Sequence, residues 1–224
     1  MERHHFEEEL QELKQRLLTM GALVEERVHA AVDSLIHRRI DVAEKVIGSD
    51  EEVNALQIEI DDRCLKLLAL QQPIASDLRL ITSAMKINAD LERIGDQAVN
   101  VAENVVKLLP HPTLKPLIDI PRMAEIAEKM IRDALDAFVK RDGDLARDVL
   151  RRDDEVDELK DQVFRELLTY MMADPGTIQR ALALILISRN LERIADHATN
   201  IAEDVIFLVE AKDVRHHHAK ETLS

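Results

Sequence analysis

The chain contains one long motif twice, and this internal repeat constrains its fold more than any other feature. Residues 91–106, LERIGDQAVNVAENVV, match residues 191–206, LERIADHATNIAEDVI, at 10 of 16 positions. Upstream, the segment AVDSLIHRRIDVAEKVIGSDEEV, which starts at Ala31, aligns with ALDAFVKRDGDLARDVLRRDDEV, which starts at Ala134. A unit that recurs with its internal order preserved predicts two similar halves joined in tandem.

Each half is predicted to form three helices. Apolar residues recur at intervals of three and four, and only 5 Gly and 6 Pro occur in 224 residues, a composition that favours helices. Pro73 in the first half and the Pro175–Gly176 pair in the second separate the second predicted helix from the third. The predicted helices span residues 6–40, 50–70, 74–109, 121–141, 153–172 and 177–212.

The third predicted helix of each half carries a regular apolar row, which suits packing in an antiparallel bundle. The first row is Ala84, Ile87, Leu91, Ile94, Ala98, Val101, Val105 and Leu108, and the second is Leu184, Ile187, Leu191, Ile194, Ala198, Ile201, Val205 and Leu208. The predicted fold class is therefore all-α, with two tandem three-helix bundles related by a pseudo-twofold axis. The bundles cover residues 1–110 and 117–213 around the linker PHPTLKP, and a C-terminal tail follows at 214–224.

The charge and the hydropathy of the chain exclude several kinds of partner. A formal net charge of −14 repels nucleic acid and anionic membrane surfaces. The most apolar run, residues 181–188, is far shorter than the roughly 18–20 residues needed to cross a bilayer. The single cysteine, Cys64, has no partner for an intramolecular disulfide, and the N-terminal residues lack the apolar stretch of a secretory signal. We therefore expect a cytoplasmic protein that neither binds nucleic acid nor inserts into a membrane.

Acidic side chains of the second and third predicted helices are expected to meet in each half. In an antiparallel hairpin, residues at equal distances from the turn lie level with each other. With turns at Pro73 and between Asp174 and Pro175, two sets of polar side chains become neighbours on the outer face, opposite the apolar rows. The first acidic cluster consists of Asp50, Asn54, Glu92 and Asp96. The second acidic cluster consists of Asp153, Asp157, Glu192 and Asp196.

Such clusters suit metal ions. Carboxylates about 4 Å apart repel by roughly 1–4 kcal/mol, depending on the effective dielectric, and a multivalent cation reverses the sign of that interaction. Oxygen ligands favour hard ions such as Mg²⁺, Mn²⁺, Ca²⁺ or Fe³⁺, although carboxylate sites also take Zn²⁺. Asn100 and Asn200 lie one turn beyond the clusters and are expected to complete the ligand shells, with Glu103 and Glu203 a further turn along.

The acidic clusters are also compatible with two roles that need no metal. In the first, the acids are ordinary solvated charges, with Arg93 and Arg193 paired to Asp96 and Asp196 three residues away. In the second, they form a dimer or partner surface, because outward-facing residues without a task would diverge between the two halves. Metal binding and protein docking are both open on the sequence alone, and one does not exclude the other.

Catalysis is not expected from this sequence. Helical di-iron oxidases use Glu-x-x-His on facing helices, but Gly95 and Ala195 stand at the positions that those histidines would occupy. The sequence also has no Gly-rich phosphate loop, cysteine pair or Ser/His/Asp pattern. A metal buffer or store is the main alternative to a regulatory role, and the histidines at 216–218 are interpreted as part of a frayed terminus.

The motifs together resemble the PhoU family. LERIGDxA and its second copy are each followed by NxAE and preceded by DxxxN or DxxxD, and YMMADP occupies residues 170–175. The resemblance covers nearly the whole chain and implies that the E(D)xxxD motifs bind multinuclear iron or zinc clusters on the bundle surface. It would place ligands at Asp50, Glu92 and Asp96 and at all four residues of the second acidic cluster. Asn54 departs from the acidic pattern, which implies fewer or weaker ions in the first.

The resemblance also implies a cellular role. PhoU proteins repress the phosphate-starvation regulon when phosphate is plentiful, through contacts with the ATPase subunit of the phosphate ABC transporter and with the sensor histidine kinase. They are usually homodimers. From this resemblance we expect a negative regulator of phosphate uptake with these two partners, assembled as a homodimer.

Overall fold

The structure is a computed structural model. It describes residues 2–71, 73–212 and 214, and within them all side chains except those of Glu2, Arg3, Asp50 and Gln71. The α-helices are α1 (Glu2–Ile36), α2 (Ile40–Ile47), α3 (Asp50–Gln71), α4 (Ala75–Leu108), α5 (Asp119–Lys140), α6 (Gly143–Ala173) and α7 (Ile178–Glu210). A short 3₁₀ turn, Pro175–Thr177, lies between α6 and α7.

Two three-helix bundles make up the fold, as predicted. Helices α1, α3 and α4 pack together in the first half, with α2 against α1 and α4, and α5, α6 and α7 pack together in the second. The halves contact each other through α4 with α7 and through α1 with α5. Equivalent helices of the two repeats therefore pack against each other, which is the arrangement expected of a pseudo-twofold axis.

The predicted apolar rows form the centre of this core. Every residue of both rows is buried, and Ile87, Leu91, Ile187 and Leu191 are fully inaccessible to solvent. Burying a Leu or Ile side chain stabilises a fold by roughly 1.5–3 kcal/mol. The rows thus account for much of the packing within each bundle and between α4 and α7.

The first helix ends earlier than the sequence predicts. The prediction extends it to residue 40, but α1 ends at Ile36, because Arg38 adopts a left-handed backbone conformation with φ of 54°. Arg141, at the matching position of the repeat, also has φ of 54° and ends α5. A left-handed residue interrupts a helix, and only glycine adopts it without cost. The break is therefore part of the repeated unit, although neither position is glycine.

The second helix of the second half also differs from its prediction. The prediction starts it at residue 153, but α6 begins at Gly143, where the side chain of Asp142 accepts hydrogen bonds from the first turn. In the first half the equivalent stretch is divided into α2 and α3 at Gly48 and Ser49. Residues 151–152 of α6 are both arginine, a good helix former, whereas glycine costs about 1 kcal/mol in a helix. The two halves therefore differ in the helix leading to the acidic residues.

Polar contacts fix the two bundles against each other at the edges of the apolar rows. The Nζ atom of Lys86 lies 2.8 Å from Oδ1 of Asp204, whose side chain is nearly inaccessible. Nδ1 of His197 lies 2.9 Å from Oδ1 of Asp90. Both pairs join α4 to α7, so they set the relative register of the halves as well as adding to the interface.

The connection between the bundles is anchored rather than free. Helix α4 ends at Leu108 and α5 begins at Asp119, and the buried ammonium of Lys115 between them pairs with Glu166 of α6. The predicted tail beyond Val214 lies outside the described residues. Of the helices in the described ranges, none combines the length and the apolar character needed to cross a membrane.

Candidate metal centres

The two hairpins have the register that the sequence predicts. Helix α3 ends and α4 begins around Pro73, and α6 ends and α7 begins around Pro175. In the first hairpin, Nδ2 of Asn88 donates to the backbone carbonyl of Gln57 at 2.9 Å. These two residues are almost equally far from Pro73 along the chain, so the same register brings the start of α3 alongside the middle of α4.

The structure brings together all four residues of the second acidic cluster. Burial raises the pKa of Asp153 to about 7, and the carboxylates of Asp196, Asp157 and Glu192 contribute to that rise. Burial is also the main cause that raises the pKa of Asp196, and the negative charges of Glu192 and Asp157 raise it further. The neighbouring carboxylates therefore act on Asp153 and on Asp196, which is the electrostatic condition for binding a multivalent cation.

A lysine that was not among the predicted site residues sits inside this cluster. Nζ of Lys160 donates to Oδ1 of Asp157 at 2.7 Å and to Oε1 of Glu192 at 3.0 Å. Burial lowers the pKa of Lys160, but these two hydrogen bonds outweigh it and raise the pKa above its ordinary value. The ammonium therefore stays charged and bridges α6 to α7.

The first acidic cluster contains fewer described side chains. That of Asp50 is not described, while Asn54 and Glu92 are half-buried and Asp96 is exposed. All three of these residues interact with neighbouring groups. The buried guanidinium of Arg27, on α1, donates through Nη2 to the backbone carbonyl of Ser49, the residue before α3. It was also missed from the sequence, and it ties α1 to the end of the hairpin that carries the cluster.

The two asparagines predicted to complete the shells have different surroundings. The backbone carbonyl of Asn100 accepts a hydrogen bond from Nδ2 of Asn104 at 2.7 Å. Nδ2 of Asn200 lies 3.3 Å from Oδ1 of Asp90, so it points to the other bundle. The contacts of Asn200 thus belong to the α4–α7 interface, and the structure does not place its amide nitrogen among the second cluster's carboxylates.

The chemistry of the donors fits a hard cation, but their arrangement is not that of a ready ligand shell. Within the described side chains, no group of three or more Asp, Glu, His or Cys residues is arranged to hold a metal ion. In the second acidic cluster, an ammonium already occupies the space between Asp157 and Glu192. Metal binding at the two clusters therefore stays a prediction.

The second hairpin exposes apolar side chains on both of its helices. These side chains recur every four residues on α6 and on α7, and Met172 and Leu182 are 78% and 51% exposed. We call this surface the hairpin patch, and it consists of Phe164, Leu168, Met172, Ile178, Leu182 and Leu186. Large apolar patches on a soluble protein mark interaction surfaces. The spacing was readable from the sequence, and the apolar row of α7 indicated its solvent side, whereas no such row was predicted for α6.

Comparison with known proteins gives a consistent result over both repeats. The PhoU domain profile matches residues 17–105 and 120–205. A phosphate-specific transport system accessory protein PhoU homolog from Aquifex aeolicus is 44% identical over 213 residues, covering 95% of this chain and 96% of the relative. A homolog of the same name from Pseudomonas putida is also 44% identical, covering 95% of this chain and 85% of that protein.

Solved structures agree with these sequence matches. The crystal structure of PhoU from Pseudomonas aeruginosa has a TM-score of 0.89 at 43% identity and covers 92% of this chain and all of the other. The regulatory protein PhoU from Streptococcus pneumoniae has a TM-score of 0.85 at 31% identity, covering 93% of this chain and 99% of the other. Both the profile and the relatives span the two bundles that carry the acidic clusters. The chain therefore belongs to the PhoU family.

Proposed function

We propose that this protein is a cytoplasmic regulator that represses phosphate uptake and the phosphate-starvation regulon. It acts by binding the ATPase subunit of the phosphate ABC transporter and the sensor histidine kinase, and not by catalysis. The observation that carries the proposal is family membership across both repeats, because relatives that cover 95% of this chain are named accessory proteins of phosphate-specific transport. Assembly as a homodimer is part of the proposal.

Metal binding by the acidic clusters is the second part of the proposal. The residues that would hold a cation are Glu92 and Asp96 with Asp50 in the first cluster, and the four carboxylates in the second. Iron or zinc is proposed from the family, and Mg²⁺ or Mn²⁺ suits the same oxygen donors. A bound cation would offset the burial and the neighbouring negative charges that raise the pKa of Asp153 and of Asp196.

The hairpin patch is the surface proposed to meet the transporter ATPase. Its apolar side chains are exposed, whereas those of the α4–α7 interface are already covered within the chain. Arg165 and Arg189 are exposed beside it and supply charge at its edge. An apolar centre with a charged rim is typical of protein interfaces. The patch lies on the same hairpin as the second acidic cluster, so the same two helices carry both.

The test is a comparison of binding and repression in matched variants. Glu92→Ala with Asp96→Ala, and the equivalent pair in the second cluster, should keep the fold, because none of these side chains is in the apolar core. We expect both double variants to retain less metal and to repress a phosphate-regulon reporter less at high phosphate. Pull-down of the transporter ATPase and the kinase measures whether partner binding is lost together with repression.

The matched control removes two exposed acids outside the clusters, Glu125→Ala with Glu158→Ala. It changes the net charge by the same amount, so it should leave reporter repression and metal content at the wild-type level. Unfolding of the cluster variants would show a structural role, and normal repression by them would contradict the metal part of the proposal. Stoichiometric metal release by a protein that captures neither partner would favour the alternative, a metal store or buffer.

A further inference from the structure

The hairpin patch is made of three pairs of apolar side chains, with one member of each pair on α6 and one on α7. In each pair the two residues are equally far from Pro175 along the chain, so they lie level with each other in the antiparallel hairpin. Four residues advance a helix by about 6 Å and leave a side chain on nearly the same side, so the pairs follow one another over about 12 Å. The pairs are Met172 with Ile178, Leu168 with Leu182, and Phe164 with Leu186.

Both rows of the patch lie on the outer side of the hairpin. On α7, the exposed row is opposite the buried row that contains Ile187 and Leu191. On α6, Lys160 lies one turn before Phe164, and its ammonium reaches Glu192 on α7, so this side of α6 borders the neighbouring helix. Helix α5 contacts both α6 and α7 along their buried side. The three pairs therefore share one face, on which no helix of this chain packs in the described ranges.

Three exposed arginines border the patch at its end away from the turn, and they are Arg165, Arg189 and Arg193. Within the part of the chain that the structure describes, none of the three has an ion-pair partner. Asp161 is level with Arg189 on α6, but its carboxylate lies 4.0 Å from the ammonium of Lys160. The border of the patch thus offers positive charge to a partner, although the whole chain has a net charge of −14.

The first hairpin has a different surface at the same positions. At five of them it carries two acids, one lysine, one threonine and one alanine, whereas the second hairpin carries three apolar residues and two arginines. In the order of the chain, Asp61, Asp62, Thr82, Lys86 and Ala89 correspond to Phe164, Arg165, Leu182, Leu186 and Arg189. The shared bundle therefore does not require an apolar surface with a basic border, which belongs to the second repeat alone.

We propose that the hairpin patch binds an amphipathic helix of a partner protein that has acidic residues beside its apolar row. This inference rests on the proposed function, in which the patch meets the transporter ATPase, and it specifies the element that the partner presents. A helix fits because α5 already covers the other side of the same hairpin with buried residues at helical spacing, such as Met123, Ala127 and Met130. A partner helix with apolar residues at i, i+4 and i+7 would contact all three pairs, and its acids would reach the arginines.

The charges of the molecule favour such a helix over other occupants. A membrane surface or a nucleic acid presents many negative charges to the whole chain, whose net charge is −14. A short acidic helix presents a few charges to the arginines alone. A second copy of this chain, docked patch to patch, would bring two sets of arginines together.

The experiment compares two synthetic helical peptides of about 18 residues as probes. Both carry leucine at i, i+4 and i+7, and the residues beside this row are glutamate in the acidic peptide and lysine in the basic peptide. Fluorescence anisotropy measures the affinity of each peptide for the full-length protein. The acidic peptide should bind about 10-fold or more tightly than the basic peptide, because its charges are attracted by the exposed arginines and those of the basic peptide are repelled.

Variants of the protein separate the charged border from the apolar pairs. Arg165→Glu with Arg189→Glu should remove the preference for the acidic peptide. Lys45→Glu with Lys129→Glu makes the same change of charge at two exposed lysines of α2 and α5, so it should keep the preference.

Removal of the apolar pairs should weaken the binding of both peptides. Phe164→Ser with Leu182→Ser is the variant for this purpose, and Leu168→Gln replaces it if circular dichroism shows that the double variant is unfolded. Equal affinity for the two peptides, tighter binding of the basic one, or no binding of either would overturn the inference. So would a patch variant that binds the acidic peptide as wild type does.

Two further measurements test other occupants of the patch. Binding of wild type to phosphatidylglycerol vesicles that is lost in the patch variant would assign the patch to a membrane and overturn the inference. A dimeric wild type and a monomeric patch variant in analytical ultracentrifugation would assign it to a second copy of this chain, with the same consequence.

Pull-down of the transporter ATPase separates this inference from the proposed function. If the patch variant captures the ATPase as wild type does while the acidic peptide binds as expected, the proposed docking of the ATPase fails and the inference about the helix stands. If the patch variant loses the ATPase while the two peptides bind alike, the proposed docking stands and the inference is overturned.

Discussion

Replacing Asp153 by asparagine is expected to stabilise the metal-free protein at alkaline pH. Burial and the charges of Asp196 and Asp157 raise the pKa of Asp153 to about 7 from an ordinary value of 3.8. Between these values, the folded protein keeps a proton on this carboxyl that the unfolded chain has lost. The stability contributed by that proton is lost as the pH rises from about 4 to about 7, and the full penalty remains above that.

The size of the effect follows from the width of that pH window. At about 1.36 kcal/mol per pKa unit, a window of about three units corresponds to at most about 4 kcal/mol. Asp153 is only half-buried and solvent screens part of the repulsion, so we expect Asp153→Asn to add about 1–2 kcal/mol to the free energy of unfolding near pH 8. Near pH 4 the two proteins should differ little.

Urea unfolding of chelator-treated protein, followed by far-ultraviolet circular dichroism at the two pH values, measures this difference. Glu158→Gln is the matched control, because it removes one exposed carboxylate from the same helix and should show no such pH dependence. Asp153→Asn that is no more stable than wild type near pH 8 would refute the reasoning. A stability gap that is the same at both pH values would refute it equally.

Three further predictions concern the fold and its partners. Gly48→Ala should raise the free energy of unfolding by about 0.5–1 kcal/mol, because its backbone is helical and an added Cβ meets nothing closer than 3.5 Å; urea denaturation measures it. Asp90→Ala should lower the free energy of unfolding by about 1 kcal/mol, because His197 then loses its hydrogen-bond partner on the other bundle. Phe164→Ser with Leu182→Ser should reduce pull-down of the transporter ATPase several-fold, by removal of exposed apolar surface.

Each of these predictions has a result that contradicts it. A less stable Gly48→Ala protein would mean that the break between α2 and α3 requires glycine. Unchanged stability of Asp90→Ala would show that its contact with His197 adds nothing to the interface. Full ATPase capture by the patch variant, with an unchanged melting temperature, would place the docking surface elsewhere on the molecule.

The bundles and the hairpin register were predictable because they depend on periodic patterns. Heptad spacing identified the rows around Leu91 and Leu191, and burial of every member confirmed them. The turns at Pro73 and Pro175 fixed which residues of neighbouring helices lie level with each other. For the second acidic cluster, the positions of these turns were enough to place Asp157 beside Glu192.

The parts that were missed depend on single residues and not on a pattern. Arg38 ends α1 in a left-handed backbone conformation, which an arginine does not predict. The continuity of α6 was readable, since Arg151 and Arg152 replace the glycine and serine that divide α2 from α3. Lys160 has Gln57 at the matching position of the first repeat, so the pattern shared by the two repeats does not identify it. The position of the Asn200 amide beside Asp90 could not be predicted from the sequence, because it depends on how α4 packs against α7.

Anomalous diffraction from crystals of the metal-free protein soaked in Mn²⁺ tests the central claim most directly. We expect one ion between α3 and α4, bound by Glu92 and Asp96, and one between α6 and α7, bound by the second acidic cluster. Ions bound away from both hairpins, or no ordered ion at either cluster, would contradict it.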